Sequence, residues 1–465
     1  VPEDKGYGDG QNPVIKGEPA TESEKKLYDL FSRSMLKMWS YPSVYNRPGK
    51  EMCDGLAVFR EHVFIFSDKD CAWPDHRDLG VAWSRWYKKS ILASAKQAWG
   101  AERWLKNNPA HVYLDDKCEI AFPLPIPANP TFHIIIVARN SSQQAKAHRG
   151  GMGCLDWRGE VSCDSSGVPE LPFTTTDLDP QKTFVHVLDE VAVDILFTEC
   201  DTFNDFVLYL SHKEALLRGP SQILSAKEPE LLALYVTTFS EGIGNHFPNG
   251  DINCSDGGWN SLQMRPEFIV KKQEDEISYN WDRLIDSFAT YSLNDRQYYV
   301  TDPSLDATSR VLMEMADEDR FTRRLLAKAL AEVVHMDFEN GGLRSRTVLA
   351  PGAKNKAYVF CVLQPLPDED PDEYRKKRRE FLSLKCLAAK CYMRDLEVVV
   401  GIGAEPRDGR EHFSEDALFL DGQSWGEKEF QDALSELVKV KFLSVEGQTL
   451  KVVRATEYPE VGTDT

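Results

Sequence analysis

No stretch of this sequence approaches the roughly 20 consecutive apolar residues that a membrane-spanning helix requires. The longest apolar candidate, Ile120 to Ala138, is broken by four prolines into short strands and turns. The first residues, Val-Pro-Glu-Asp-Lys-Gly, lack the basic, apolar and small-residue order of a secretory signal. Ten cysteines are present, but none forms Cys-x-x-Cys or lies near a His-x₃₋₅-His spacing, which argues against a structural zinc site. They are also too sparse for a disulfide scaffold, so reduced thiols in a cytoplasmic setting are expected. His-Glu-x-x-His, a phosphate-binding loop and any internal repeat are absent. The first two gaps weaken the common metalloprotease and nucleotidase alternatives.

What is present is an ordinary globular balance, 42% apolar and 28% charged over 465 residues. A chain of that length is expected to form about three domains. The net charge of −19 argues at first against a polyanionic partner. The charge is unevenly spread, however. Residues 1–20 hold 2 Lys and Arg against 4 Asp and Glu, Thr21–Gly150 hold 19 against 14, and residues 151–465 hold 34 against 56. A locally basic segment on an acidic chain is the distribution expected where one region meets a polyanion.

Residues 1–20, rich in Gly, Pro and charge, read as a loose tail. Thr21-Glu-Ser-Glu24 is a capping-box pattern ahead of a helical stripe of Leu27, Leu30, Phe31, Met35, Met38 and Trp39, with Pro42 as its stop. Leu56–Phe59 and Val63–Phe66, joined by Arg60-Glu61-His62, read as a β-hairpin. A long helix follows over about 81–106, and the apolar run His133–Ala138 reads as a buried strand. This order predicts one compact α/β domain over residues 21–150.

The polar, Gly-rich stretch 140–167 reads as a boundary or loop. Residues 168–340 are expected to be mainly helical, with helices near 201–218, from Ser225 onward, over 273–290 and over 305–336. Residues 341–465 alternate: strands at 344–350 and 356–364, a helix at 370–393, strands at 396–402 and 417–420, and a helix at 425–438. That alternation predicts a small C-terminal α/β domain and a mixed α/β class for the whole chain.

The segment from Glu51 to Lys69 carries the strongest chemical signal. Asp54 opens one strand of the hairpin and Lys69 closes the other. Strand side chains alternate faces, so Ser67 and Lys69 share a face that Asp68 does not. A carboxylate and an ammonium therefore meet at the open end of the hairpin. Hard divalent cations need oxygen ligands, commonly one or two carboxylates plus a substrate phosphate. A nearby lysine orients water and offsets charge at a reacting phosphorus.

This layout resembles the PD-(D/E)XK, or restriction-endonuclease-like, nuclease superfamily over roughly residues 21–150. Asp54 stands as the strand-opening aspartate, and Ser67-Asp68-Lys69 stands in place of the (D/E)-x-K. The resemblance implies a restriction-endonuclease-like domain that hydrolyses DNA with Mg²⁺ or Mn²⁺ held by Glu51, Asp54 and the Ser67 position. Lys69 is implied to act on the attacking water. Gln97, in Ser94-Ala-Lys96-Gln97, matches the glutamine that several branches direct at the site from the next helix. The departure is Ser67, a neutral hydroxyl where the family has an acid. Glu51 is the available replacement, Asp68 or Asp70 on a shifted strand are others, and loss of the metal is the remaining alternative.

The helix over 81–106 carries Arg85, Lys88, Lys89, Lys96, Arg103 and Lys106 against Glu102 alone. Arg85, Lys88, Lys89 and Lys96 are expected to contact phosphates, the plain alternative being a solvated basic face. Arg375-Lys-Lys-Arg-Arg379 follows five acids within Asp368–Glu373 and reads as a solvated helix with i,i+4 pairs. Gly401-Ile-Gly403 lacks the rest of a dinucleotide fingerprint. His186, near Asp189 and Glu190, reads as a core histidine at a strand end. Gly422-Gln-Ser424-Trp-Gly426 matches a nucleophile elbow, but no histidine follows His412, so it reads as a turn.

Two functions of different class follow. One is a DNA endonuclease, with the effector role in a bacterial defence system as its extension, whose residues 168–465 sense, form a homo-oligomer or bind a regulatory protein. The other is a catalytically silent module that binds nucleic acid or protein.

Overall fold

The computed structural model describes residues 19, 21–240, 244–254, 256–293, 305–350, 355–406, 414–440 and 455–458. The expected tail, except for residue 19, lies outside them. The chain divides into two compact units, one over Val14–Ile269 and one built on Val270–Thr465. Among the described residues no helix is long and apolar enough to cross a membrane.

Thr21 caps helix α1 (Glu22–Ser34), its hydroxyl accepting the Glu24 N–H at 3.2 Å. Leu36, at φ 56°, breaks this helix from the short turn α2 (Leu36–Trp39). The apolar stripe through Leu27, Phe31, Met35 and Trp39 is buried as expected. Pro42 does not simply end a helix, however. It lies inside an unanticipated strand, β1 (Ser40–Arg47), paired with Gly55. This strand sits at the edge of its sheet, where a missing ladder N–H is tolerated.

The hairpin forms where expected, as β2 (Lys50–Phe59) and β3 (His62–Lys69), with pairs running from Phe59↔His62 to Gly55↔Phe66. The predicted long helix is α3 (Leu79–Tyr87) and α4 (Ala93–Asn107), joined by a π-helical turn at Lys88–Leu92. Strand β4 (Thr131–Ala138) then runs parallel to β3. After α5 (Ser142–Arg149), β5 (Asp156–Trp157) and β6 (Thr174–Thr175), β7 (Val185–Leu188) pairs parallel with β4. The main sheet therefore has the order β1-β2-β3-β4-β7, and its fifth strand comes from beyond residue 150.

Each face of this sheet is closed by apolar packing. Trp83, Trp86, Tyr87, Ile91, Ala95 and Ala98 from α3 to α4 cover Leu56, Val58, Val63 and Ile65. On the other face Phe31 of α1 stacks on Phe66 with centroids 4.7 Å apart. Gly55 makes that approach possible, because a Cβ there would come within 2.9 Å of the Phe31 ring. Helices α6 (Glu190–Glu199) and α7 (Phe203–Leu217) extend this layer through Phe197 and Phe206. Ser225 lies in strand β8 (Ile223–Lys227), not at a helix start, and α8 (Glu228–Thr237) begins just after it. The acidic first turn and Pro229 mark that later start.

In the second unit, strands Leu343–Leu349, Lys356–Leu363, Val398–Ala404 and Asp416–Asp421 lie side by side in that order. The middle pair is parallel, joined through helix Pro371–Tyr392, and helix Glu427–Lys439 follows the last strand. The expected helical stretch 305–336 is two helices, because Asp319 caps Arg320–Val334 by accepting the Thr322 N–H at 2.6 Å. The basic run 375–379 departs from the solvated reading. Arg378 is fully buried, with Nε 2.7 Å from Asp416 Oδ2 and a further donor on the Ser414 carbonyl. A 22-residue helix against a sheet must bury one face, and charge periodicity along the helix does not reveal which cation falls there. Gly401 serves the same packing, since a Cβ would lie 2.6 Å from Cys386 Sγ. The Gly422–Gly426 segment is the turn before the last helix, with Gly426 at its N-cap.

Candidate active site

The ladder between β2 and β3 stops at Gly55↔Phe66, whereas β3 continues beside β4 as far as Lys69↔Ala138. The two hairpin strands thus part where Asp54 and Ser67 begin, and the Asp54 carboxylate fills the fork. Its Oδ2 accepts the Asp68 N–H at 2.6 Å and lies 3.5 Å from Lys69 Nζ. Asp54 is 3% exposed and the Lys69 side chain 30%, so the pair joins a buried anion to a cation that reaches solvent. Alternation places Ser67 and Lys69 on the face covered by α4 and turns Asp68 to the other. There Arg139 grips Asp68 in a fork, with Nε–Oδ1 at 2.8 Å and the second nitrogen 2.9 Å from Oδ2.

That grip decides which of the nearby acids are left on the face that Ser67 shares with Lys69. Asp68 is committed to Arg139, and Asp70 is exposed and accepts from Asn140 Nδ2. Neither reaches the shared face. Glu51 remains. It sits half-buried near the start of β2, opposite Tyr45 across an irregularity in β1. Its Oε1 and the Ser67 hydroxyl are both buried and make no hydrogen bond of good geometry, although Ser43 and Ser67 lie close enough to favour the charged forms of Glu51 and Asp54 respectively.

The electrostatics of this cluster are anionic and strained by burial. Burial, then the Asp54 charge, pushes the Glu51 carboxyl up to about 7, while Lys69 partly offsets the rise. Burial also raises Asp54, opposed by Lys69 and by the Asp68 N–H. Glu24, on the first turn of α1, adds negative charge that is felt at Glu51, Asp54 and Asp68. The capping pattern gave Glu24 a purely local role. Only the packing of α1 on the sheet reveals its proximity to the other carboxylates.

Gln97 lies on α4 and, with Glu51 and Lys96, lines a cavity of about 430 Å³ between that helix and the β1–β2 turn. The structure thus puts Gln97 and Glu51 on the lining of one cavity, and Asp54, whose charge reaches Glu51, pairs with Lys69. Arg85, Lys88, Lys89 and Lys96 are all exposed, but Lys88 faces Asp164 at 3.7 Å, and of the four only Lys96 reaches the cavity. Two cations passed over in the sequence, Arg47 and Lys50, line it instead. His186 is 1% exposed within β7, and burial keeps its imidazole neutral, as a core histidine. Its neighbours Asp189 and Glu190 accept backbone N–H groups at helix starts.

Among the described residues no three of His, Cys, Asp and Glu are grouped as a complete metal cage. Two neighbouring carboxylates, an unpartnered carboxylate oxygen and an unpartnered hydroxyl are what the site offers. That donor set fits a hard cation such as Mg²⁺, which keeps several waters and shares its shell with a substrate phosphate. It does not fit a soft, fully caged ion. Compared with known proteins, the chain matches no family model, no curated protein and no solved structure.

Proposed function

We propose that the unit over Val14–Ile269 is a metal-dependent nuclease that hydrolyses DNA phosphodiester bonds at the fork between β2 and β3. The observation that carries this reading is the Asp54 carboxylate in that fork, 3.5 Å from Lys69 Nζ, with the unpartnered Glu51 oxygen beside it. The element order adds support: the helix, hairpin, helix and strand on which the resemblance to the PD-(D/E)XK superfamily rests are all present, with β4 parallel to β3 and β1 added at the sheet edge.

Glu51 and Asp54 would hold Mg²⁺ or Mn²⁺, with the Ser67 hydroxyl at the third position. When bound, the ion supplies Lewis-acid polarisation of a phosphoryl oxygen and acidifies water. The chain's own residues do the rest. Lys69 presents a fixed positive charge where negative charge accumulates on the reacting phosphate. Its amine is held by Asp54 and by the β3–β4 ladder, so little reorganisation is needed at the moment of reaction. Asp54 is in turn oriented by the Asp68 N–H, and Arg139 immobilises Asp68 from the opposite face. Burial favours the protonated form of Glu51, and a bound cation would displace that proton. Gln97, across the cavity from the strand end, orients water or substrate beside Glu51.

Cleavage of plasmid and linear DNA with Mg²⁺ or Mn²⁺, read beside calorimetric metal binding, tests the proposal. Asp54→Ala is expected to abolish both metal binding and cleavage, and Lys69→Ala to abolish cleavage alone. A protein that neither binds a divalent cation nor cuts DNA is the silent binding module instead. The neutral Ser67 side chain in the ligand position is the observation that favours this second reading.

A further inference from the structure

We infer that the cavity beside Glu51 and Gln97 is a groove for a single nucleic-acid strand, with the Trp104 indole as the platform on which one base stacks. The inference rests on the nuclease reading for the fate of the bound strand. Four cations converge on the cavity: Arg47 and Lys50 flank the β1–β2 turn, and Lys96 and Arg103 project from α4. All four are exposed, and none is in an ion pair among the described residues. Neighbouring Lys88 and Lys106 differ, being matched to Asp164 and Glu102. Unmatched like charges around a concavity repel one another, and they focus a positive potential that an anionic chain relieves.

The rest of the lining asks for more than an anion. Trp104 is half-buried and its Nε1 donates to the His111 carbonyl at 2.8 Å, which fixes the ring. The Arg47 guanidinium lies 5.0 Å from the ring centroid, joining cation and aromatic surface in one platform. Met52 and Ala101 supply apolar floor. Asn46, Asn107 and Asn108 add amide groups to the lining, which suit polar base edges. A ligand with spaced negative charges, a flat ring and polar ring edges is a nucleotide strand. The volume of about 430 Å³ is that of a small-ligand site. A duplex keeps its bases stacked inside and presents none to Trp104 unless one is unpaired. Glu51 lines the same cavity and feels the Asp54 charge, which ties the groove to the carboxylate cluster.

Fluorescence anisotropy with a labelled oligothymidylate of about 12 nucleotides, and with a duplex of equal length, tests the groove in EDTA, where no cleavage occurs. The single strand is expected to bind more tightly. Trp104→Ala is expected to weaken that binding about tenfold and to leave duplex binding unchanged. Trp104→Phe keeps a flat ring and should retain most of the affinity, which controls for a folding defect. The exposed variants Lys50→Ala and Arg103→Ala should each lower the salt dependence by about one ion. Tighter duplex binding would overturn the inference. So would unchanged single-strand binding in folded Trp104→Ala, or competition by polyglutamate as strong as that of DNA. Failure of the nuclease reading looks different: single-strand binding persists in EDTA while no divalent cation elicits cleavage. Metal-dependent cleavage that is indifferent to Trp104, Lys50 and Arg103 would keep the nuclease and remove the groove.

Discussion

Arg139 and Asp68 form a two-pronged ion pair on the face of the sheet opposite the Asp54–Lys69 pair, and the two pairs meet through one backbone N–H. The Asp68 amide that anchors Asp54 belongs to the residue whose side chain Arg139 immobilises. Arg139 thereby positions Asp54 without touching it. Arg139→Ala is expected to strand a buried carboxylate and to cost about 3–5 kcal/mol of stability. Arg139→Lys retains the charge but not the fork, and should recover only part of that loss. If the role is positioning, the Lys variant, once folded, should also bind divalent cation more weakly. Calorimetry alongside thermal unfolding separates that effect from simple destabilisation.

Among the described residues Lys69 alone forms an ion pair with the buried Asp54 carboxylate. Lys69→Ala should therefore destabilise the protein in the absence of metal by about 1–3 kcal/mol, the cost of an uncompensated buried polar group. Added Mn²⁺ should recover much of this, because the cation takes over the neutralising role. Lys69→Met, which preserves the stem, should behave alike in unfolding melts and remain inactive. Recovery of cleavage by metal alone would remove Lys69 from the chemistry.

Glu51 sets a pH dependence whose sign follows from its raised carboxyl. Below about pH 4.5 the group is protonated in both folded and unfolded chains. Between there and about 7 the unfolded chain loses the proton while the folded one keeps it, so rising pH disfavours folding. Glu51→Gln removes that liability. The variant should match the wild type near pH 5 and exceed it near pH 8 in thermal melts without metal. With Mg²⁺ present the order should reverse near pH 8, since only the wild type offers the ionised oxygen. Equal pH profiles for the two proteins would show that Glu51 is not the titrating ligand.

The fork and its two charged residues were readable from the chain because both depend on local rules. Period-2 alternation assigns Ser67 and Lys69 to one face, and a three-residue connection between apolar runs marks the hairpin. Lost to that reading were features that depend on what packs against what. Pro42 conceals β1, since a proline near a helix end is compatible with either a stop or an edge strand. Val185–Leu188 joins the sheet from a distance of nearly fifty residues past β4, where no local pattern names its partner. Arg47 and Lys50 are unremarkable in a turn until α4 is laid beside them, and Glu24 is a cap residue until α1 is docked. Arg378 shows the converse: its neighbours in sequence suggest solvent, and its neighbours in space bury it.

Ser67→Glu tests the departure from the nuclease signature most directly. The Ser67 side chain is 1% exposed and its hydroxyl lies close enough to Asp54 to favour the ionised carboxylate, so the position is enclosed and already faces the cluster. A carboxylate there would join Glu51 and Asp54, both already raised by burial, with Glu24 contributing from α1. Without a metal ion the added charge joins three carboxylates against the Lys69 cation, and the variant should melt at a lower temperature than the wild type. With Mg²⁺ or Mn²⁺ the extra ligand should enlarge the metal-induced rise in melting temperature beyond that of the wild type. The two effects have opposite sign in one protein, so general damage to the fold cannot produce both. An active wild type should keep or gain cleavage in this variant, while a silent module should acquire metal binding that it lacked. A variant that melts lower with and without metal, and never binds a cation, would show that these carboxylates do not form a metal site.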